Sequence, residues 1–210
     1  MTPPRRYGDA GQAFPIYITV VGGLLLLALA YFAVGQTTVN RGGAQTAADA
    51  AALAAAQARR DQLADEWVKE VLEPAKWQQI FDGSVRELPA PCRRADELAS
   101  QNDARVLGCT QNGPLAYTVD VENNQPVGES VVPGTENKKS EARARAVVTP
   151  LCTFNPLPED TESAELPLLT CGDRDWELDP EHLTELPEPQ DLFGVHLADT
   201  SERRATKETK

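Results

Sequence analysis

FPIYITVVGGLLLLALAYFAVG, residues 14–35, runs straight into QTTVNRGGAQTAADAAALAAAQ, residues 36–57, and the reading of this pair decides the rest. In the first stretch Tyr17 and Tyr31 are the only ionisable side chains, and both stay neutral at ordinary pH. As a helix it extends roughly 33 Å, the thickness of a bilayer's hydrocarbon core. Lipid offers the backbone no hydrogen-bond partner, so a single span of this length has to be helical. Pro15 suits a first helical position, where no amide donor is missed. Tyr17, Tyr31 and Phe32 lie near the ends, where aromatic rings tolerate the interface. Phe14, Gly22, Gly23 and the run Leu24, Leu25, Leu26 and Leu27 supply the rest of the expected anchor. Thr19 and Gly23 form a small-x-x-x-small pair suited to close lateral packing.

Two plainer readings compete with an uncleaved anchor. A signal peptide has a core of about 7–15 apolar residues and a small-x-small exit site; this core is longer, and no clean A-x-A follows. A buried core helix is the other, but Leu24–Ala30 is apolar all round in a chain otherwise poor in large hydrophobes. Arg5 and Arg6 precede the stretch and only Arg41 follows closely, so the positive-inside rule places residues 1–13 in the cytoplasm. Everything after Gln36 is then extracytoplasmic.

Behind the apolar run, Gln45, Ala48, Asp49, Ala50, Ala51, Ala52, Leu53, Ala54 and Ala55 form a string close to "LQnaaDAAALAAA". With Gly11-Gln12-Ala13 ahead of the apolar run, it resembles the TadE/TadG-like proteins of Flp (tight-adherence) pilus assembly. The likeness covers roughly residues 8–58. It implies a short tail, a membrane helix and an outer domain working with other single-span pilus-assembly components or pilins. The chain departs from prepilin-like members, which carry a Glu five positions after a cleavage glycine. Counted from Gly11 that place is Ile16, and from Gly8 it is Ala13. Large family members add a D-x-S-x-S metal site, but the nearest string here, Asp82-Gly83-Ser84-Val85-Arg86, reads as an Asp-Gly turn.

Net charge is -12. Pro156–Asp199 carries most of it, with Asp and Glu recurring and Arg174 the single Arg or Lys. Such a surface repels nucleic acid and anionic lipid. The four cysteines are Cys92, Cys109, Cys152 and Cys171, with no C-x-x-C and no neighbouring His. A zinc site is not expected; two disulfides are. Three pairings are open, and the short loops favour Cys92–Cys109 and Cys152–Cys171.

The expected fold class is α+β, pilin-like in outline: the anchor, a long helix over 44–73, a small antiparallel sheet and an irregular acidic C-terminal region. Asn40-Arg41-Gly42-Gly43 is expected to break or loosen the helix as it leaves the membrane. Leu63, Ala64, Trp67, Val68, Val71 and Leu72 form one stripe, expected on the domain's own sheet, and a partner helix is the sharper alternative. Asp65 and Lys69 are spaced to pair, and Pro74 should stop the helix. A short helix follows over Ala75–Phe81 with Trp77, Ile80 and Phe81 inward, and a weaker one over Cys92–Ala99.

Arg105–Thr110 and Leu115–Val121 read as strands about an Asn112-Gly113 turn. Val127–Val132 is a poor strand and Glu141–Thr149 a half-exposed one. Residues 36–155 make the extracytoplasmic domain, 156–199 an acidic Pro-rich extension and 200–210 a disordered tail. In the extension, one helical turn is expected from Asp179-Pro180-Glu181 to Leu186, and an edge strand over Leu192–Leu197.

No G-x-S-x-G elbow, H-E-x-x-H or phosphate-binding glycine loop occurs. Asp173-x-Asp175-x-Glu177 begins like a calcium loop, but Leu178 and Thr184 occupy its glycine and closing acidic positions. No enzyme, metal or cofactor is expected. Two functions remain: a membrane-anchored, extracytoplasmic component of Flp/Tad-type pilus assembly, or a tethered binding module whose acidic half takes a cation or basic ligand.

Overall fold

A computed structural model describes residues 13–85, 88–126, 137–156, 166–183 and 185–198. Within the first helix, side chains are described for 15–31 and 42–69. The expected strand Val127–Val132 and the tails 1–12 and 199–210 lie outside the described residues, as do the side chains of Phe14 and Phe32.

The first helix, α1, is Ala13–Lys69, 57 residues long without interruption. Asn40–Gly43 therefore does not break it. Gly42 and Gly43 each cost about 1 kcal/mol relative to Ala, too little against a helix continuous on both sides. The helix also stops earlier than Pro74. Lys69 ends it, and Pro74 opens α2, Pro74–Phe81, where a missing amide costs nothing.

In α2, Trp77, Ile80 and Phe81 face the core, as the spacing predicts. Asp82 caps the helix, and Gly83 follows with φ 67°, a left-handed conformation suited to glycine. The expected helix at Cys92 is α3, Cys92–Gln101.

β1, Ala104–Gln111, and β2, Ala116–Pro126, form the expected hairpin, with Gly113 at φ 95°. The amide of Asn112 donates to the Ala116 carbonyl at 2.8 Å. A bulge at Leu107 shifts the register between Val106 and Gly108 and leaves Leu107 exposed. β3, Lys139–Pro150, pairs with β2 and turns Ala144, Ala146 and Val148 inward.

The residues after Pro150 are more ordered than their prolines suggest. β4, Cys152–Phe154, β5, Leu169–Cys171, and β6, Arg174–Trp176, form a separate antiparallel sheet. Among the described residues the one-turn helix expected at Asp179 does not form: Asp179 instead closes a turn by accepting the Glu181 amide at 2.8 Å. Helix α4 comes later, Pro189–Leu192, with a reciprocal capping box between Glu188 and Asp191. The expected edge strand is β7, Phe193–Leu197, which completes the antiparallel sheet in the order β1-β2-β3-β7.

The core lies between this sheet and α1, which packs chiefly on β3 and α3 and also against β2. The cross-strand pairs Tyr117–Ala146, Val119–Ala144 and Val121–Ala142 set a bulky residue on β2 beside an alanine on β3. That leaves a shallow trough into which a small-residue helix settles. At the far end, an aromatic series joins α1, α2, β4 and β7: Trp67–Trp77, Trp77–Phe154, Phe154–Phe81 and Phe81–Phe193, with ring centroids 5.2–6.1 Å apart.

Both disulfides pair as expected. Cys92–Cys109 staples the start of α3 to β1, and Cys152–Cys171 joins directly opposed residues of β4 and β5.

Candidate functional site

One helix carries two unlike surfaces. From residue 15 to 31 the described side chains are exposed except for the half-buried Val21. Ile16 is 63% and Leu26 69% exposed, and Leu24, Leu25 and Leu27 are similar. Gly22 and Gly23 have no neighbouring atom where a methyl group would project. The Thr19 hydroxyl donates back to the Ile16 carbonyl at 2.9 Å, within its own helix. Nothing in the described chain covers this apolar surface. Exposed apolar area on this scale marks a region that meets lipid or another protein.

Among the described residues no helix is long and apolar enough to cross a membrane. The exposed run 15–31 covers roughly 26 Å, against about 30 Å of hydrocarbon.

From residue 44 onward the character reverses. Ala44, Ala47, Ala48, Ala51, Ala52, Ala54, Ala55 and Ala56 are buried, while Ala50 and Leu53 are half-buried. Short side chains let the helix backbone approach both the sheet and α3, and alanine loses no rotamer freedom in doing so. Gln45 and Asp49, the polar members of the string, hydrogen-bond to each other at 2.8 Å on the exposed side. This pair sits one turn apart, where helix geometry brings side chains together.

Further along, Leu63, Ala64, Trp67 and Val71 are buried as predicted. Val68 and Leu72 are not; they are 44% and 55% exposed. The stripe is therefore narrower than its sequence suggests, since Leu72 already lies beyond the end of α1. Lys69 pairs with Glu66 at 3.2 Å and not with Asp65. Lys76 bonds Glu70 at 2.8 Å and Glu73 at 2.9 Å, which holds its ammonium above the usual lysine range.

The exposed sheet face is ion-paired. Arg143 meets Asp120, and Arg105 meets Glu122 at 2.7 Å. The Asp120 carboxylate holds the Arg143 guanidinium above its ordinary value. Asp179 lies below the carboxylate range, held there by the Glu181 amide and then by His182. Among the described residues no group of three or more His, Cys, Asp or Glu side chains is placed to hold a metal. Asp175 accepts a hydrogen bond from the Thr170 hydroxyl at 2.7 Å, as part of the β5–β6 pairing.

Sequence reasoning missed Arg59. It follows the alanine run directly, yet it is buried and borders a cavity between α1 and the segment after α2. The one available signal was a cation on a helix turn flanked by Ala55, Ala56 and Leu63.

Comparison with curated proteins and with solved structures returns no match. Residues 11–58, which hold the exposed apolar run and the buried alanine run, match the family model described as "Putative Flp pilus-assembly TadE/G-like". The N-terminal region is thus TadE/G-like, and a place in Flp pilus assembly is the role that this likeness supports.

Proposed function

We propose that this chain is a single-pass membrane protein, N-terminus in the cytoplasm and α+β domain outside, that acts in Flp/Tad-type pilus assembly. Its role is structural: it binds other single-span components or pilins, and it catalyses no reaction. The observation that carries this reading is the uncovered apolar surface of α1 over residues 15–31, continuous with the helix at the domain's core. In the sequence the uncharged stretch runs from Phe14 to Gly35, roughly 33 Å as a helix. Such a helix is stable in lipid and costly in water, where each Leu left exposed forfeits about 2 kcal/mol of transfer free energy.

Arg5 and Arg6 ahead of the span favour the proposed orientation. The two disulfides favour an oxidising compartment for the domain. The family match over 11–58 supplies the link to pili.

The reading is tested by fractionating cells, extracting membranes with alkali and labelling free thiols. The chain should stay with the membrane after extraction and show no free thiol. Recovery from the soluble fraction with reactive cysteines would refute the topology. Deleting the chain should abolish or reduce surface pili, and unchanged piliation would refute the assembly role.

A further inference from the structure

The two disulfides occupy unlike surroundings. Cys152 is 6% and Cys171 8% exposed, and both belong to the hydrophobic core with Leu169 and Trp176. Cys92 and Cys109 are only half-buried. Cys109 lies on β1, an edge strand of its sheet, and Cys92 is followed by the exposed Arg93 and Arg94. Thiol–disulfide exchange requires an incoming thiolate to reach one of the two sulfurs. A core bridge grants that access only when the core opens, whereas a half-buried one grants it in the folded protein.

The sulfurs of the accessible bridge also differ from each other. Cys92 is the first residue of α3, a helix of 10 residues. Pro91 ahead of it supplies no side-chain cap, and the first turn holds no acid. Unpaired amides and the positive end of the helix both favour an anion there. Arg93 adds a positive charge next to it, while Arg94 is engaged by Glu97 at 2.6 Å and Asp96 lies in the following turn. Cys109 stands in a strand between Gly108 and Thr110, neither of them charged. A thiolate is thus better stabilised on Cys92, and the better-stabilised thiolate is the faster leaving group.

We propose that Cys92–Cys109 is a thiol–disulfide exchange site whose substrate is a dithiol reductant, with Cys109 the sulfur attacked and Cys92 the one released. Cys152–Cys171 is then the inert staple. One thiolate of the dithiol bonds to the Cys109 Sγ as the S–S bond breaks, and the electron pair departs on the Cys92 Sγ. The second thiolate of the reductant then closes its own disulfide and releases Cys109. Two electrons pass to the protein, the dithiol is oxidised, and its two protons are balanced by those of the two protein thiols. Ala95 and Ala99 keep α3 seated on α1 throughout, so the bridge can open without unfolding the domain. The inference is independent of the pilus reading, since it rests on the domain alone.

The test uses the full chain in phosphatidylcholine nanodiscs, without denaturant. Dithiothreitol is added, samples are stopped with N-ethylmaleimide over time, and each cysteine is followed by peptide mass spectrometry. Cys92 and Cys109 should be labelled at least about tenfold faster than Cys152 and Cys171. With the monothiol glutathione in place of the dithiol, early samples should carry glutathione on Cys109 and maleimide on Cys92. Arg93→Glu puts an acid in the first turn and should slow the reduction about threefold. Should that variant fail to fold, the two measurements on the unaltered chain decide alone. Equal rates for both bridges, earlier reduction of Cys152–Cys171, no reduction short of unfolding, or glutathione resident on Cys92 overturns the proposal, as does an unchanged rate in folded Arg93→Glu.

Discussion

The two halves of α1 have opposite relations to their surroundings. The half at 15–31 is built of large apolar side chains that touch nothing in the described chain, whereas the half from 44 to 56 is built of alanines that touch almost everything. Size and burial run against each other along one helix. The lesson is that close packing along the alanine half comes from backbone approach, whereas bulky side chains fill the far end of the core. Each alanine removes little area from water, but a run of them lets a helix lie against a sheet with few voids. The bulky half has no such partner, so what stabilises it has to come from outside the fold.

That contrast is breakable, most severely at Leu25 and Leu26. If the proposed membrane span is right, changing both to Arg should cost about 5–7 kcal/mol of insertion, from about 2.5–3.5 per charge at a span's centre. The chain should leave the alkali-resistant membrane fraction while the domain's melting temperature stays unchanged. A lowered melting temperature with attachment intact would reverse the assignment of the two halves.

Next in size is the staple that holds the start of α3 to β1. Replacing Cys92 and Cys109 together by Ser should cost about 2–4 kcal/mol in a denaturant titration.

Ala51→Leu probes the alanine half directly. Ala51 is fully buried, and overfilling such a site should cost about 1–3 kcal/mol. A neutral result would mean the helix is less closely packed than its burial indicates.

The smallest effect is a pH dependence. The folded Tyr117 phenol sits above its unfolded value, near 10, so the unfolded chain loses this proton first. Stability from this group is present below about pH 10 and falls as the pH rises further. Tyr117→Phe should flatten that alkaline decline in urea midpoints measured from pH 9 to 11.

Much of the fold was legible because its signals are local. Trp77, Ile80 and Phe81 share one face at helical spacing, and Asn112-Gly113 is a turn in its own right. The pairing of the cysteines followed from the short loops they close. The apolar stretch and the family-like string were legible for the same reason, each being a continuous run.

What was missed depends on partners distant in sequence. Gly42-Gly43 predicts a break by propensity, yet intact helix on both sides outweighs that preference. Val68 and Leu72 have the right spacing, but both are exposed in the described chain, and Leu72 lies past the end of α1. β4, β5 and β6 have only three residues each, too few for a period to show. Arg59 gave only a weak signal, its place beside Ala55, Ala56 and Leu63, because a cation on a helix is ordinarily solvated.

The place of β7 in the main sheet bears on the order in which the protein is made. Phe193–Leu197 lies beside β3, whose last residue is Pro150, and Phe193 is among the fully buried side chains. A nascent chain that has emerged only as far as β3 therefore presents an unpaired sheet edge and lacks a core aromatic. The sheet is complete only once the chain has been made as far as residue 197, so synthesis has to outrun, or be shielded from, premature strand pairing between neighbouring molecules.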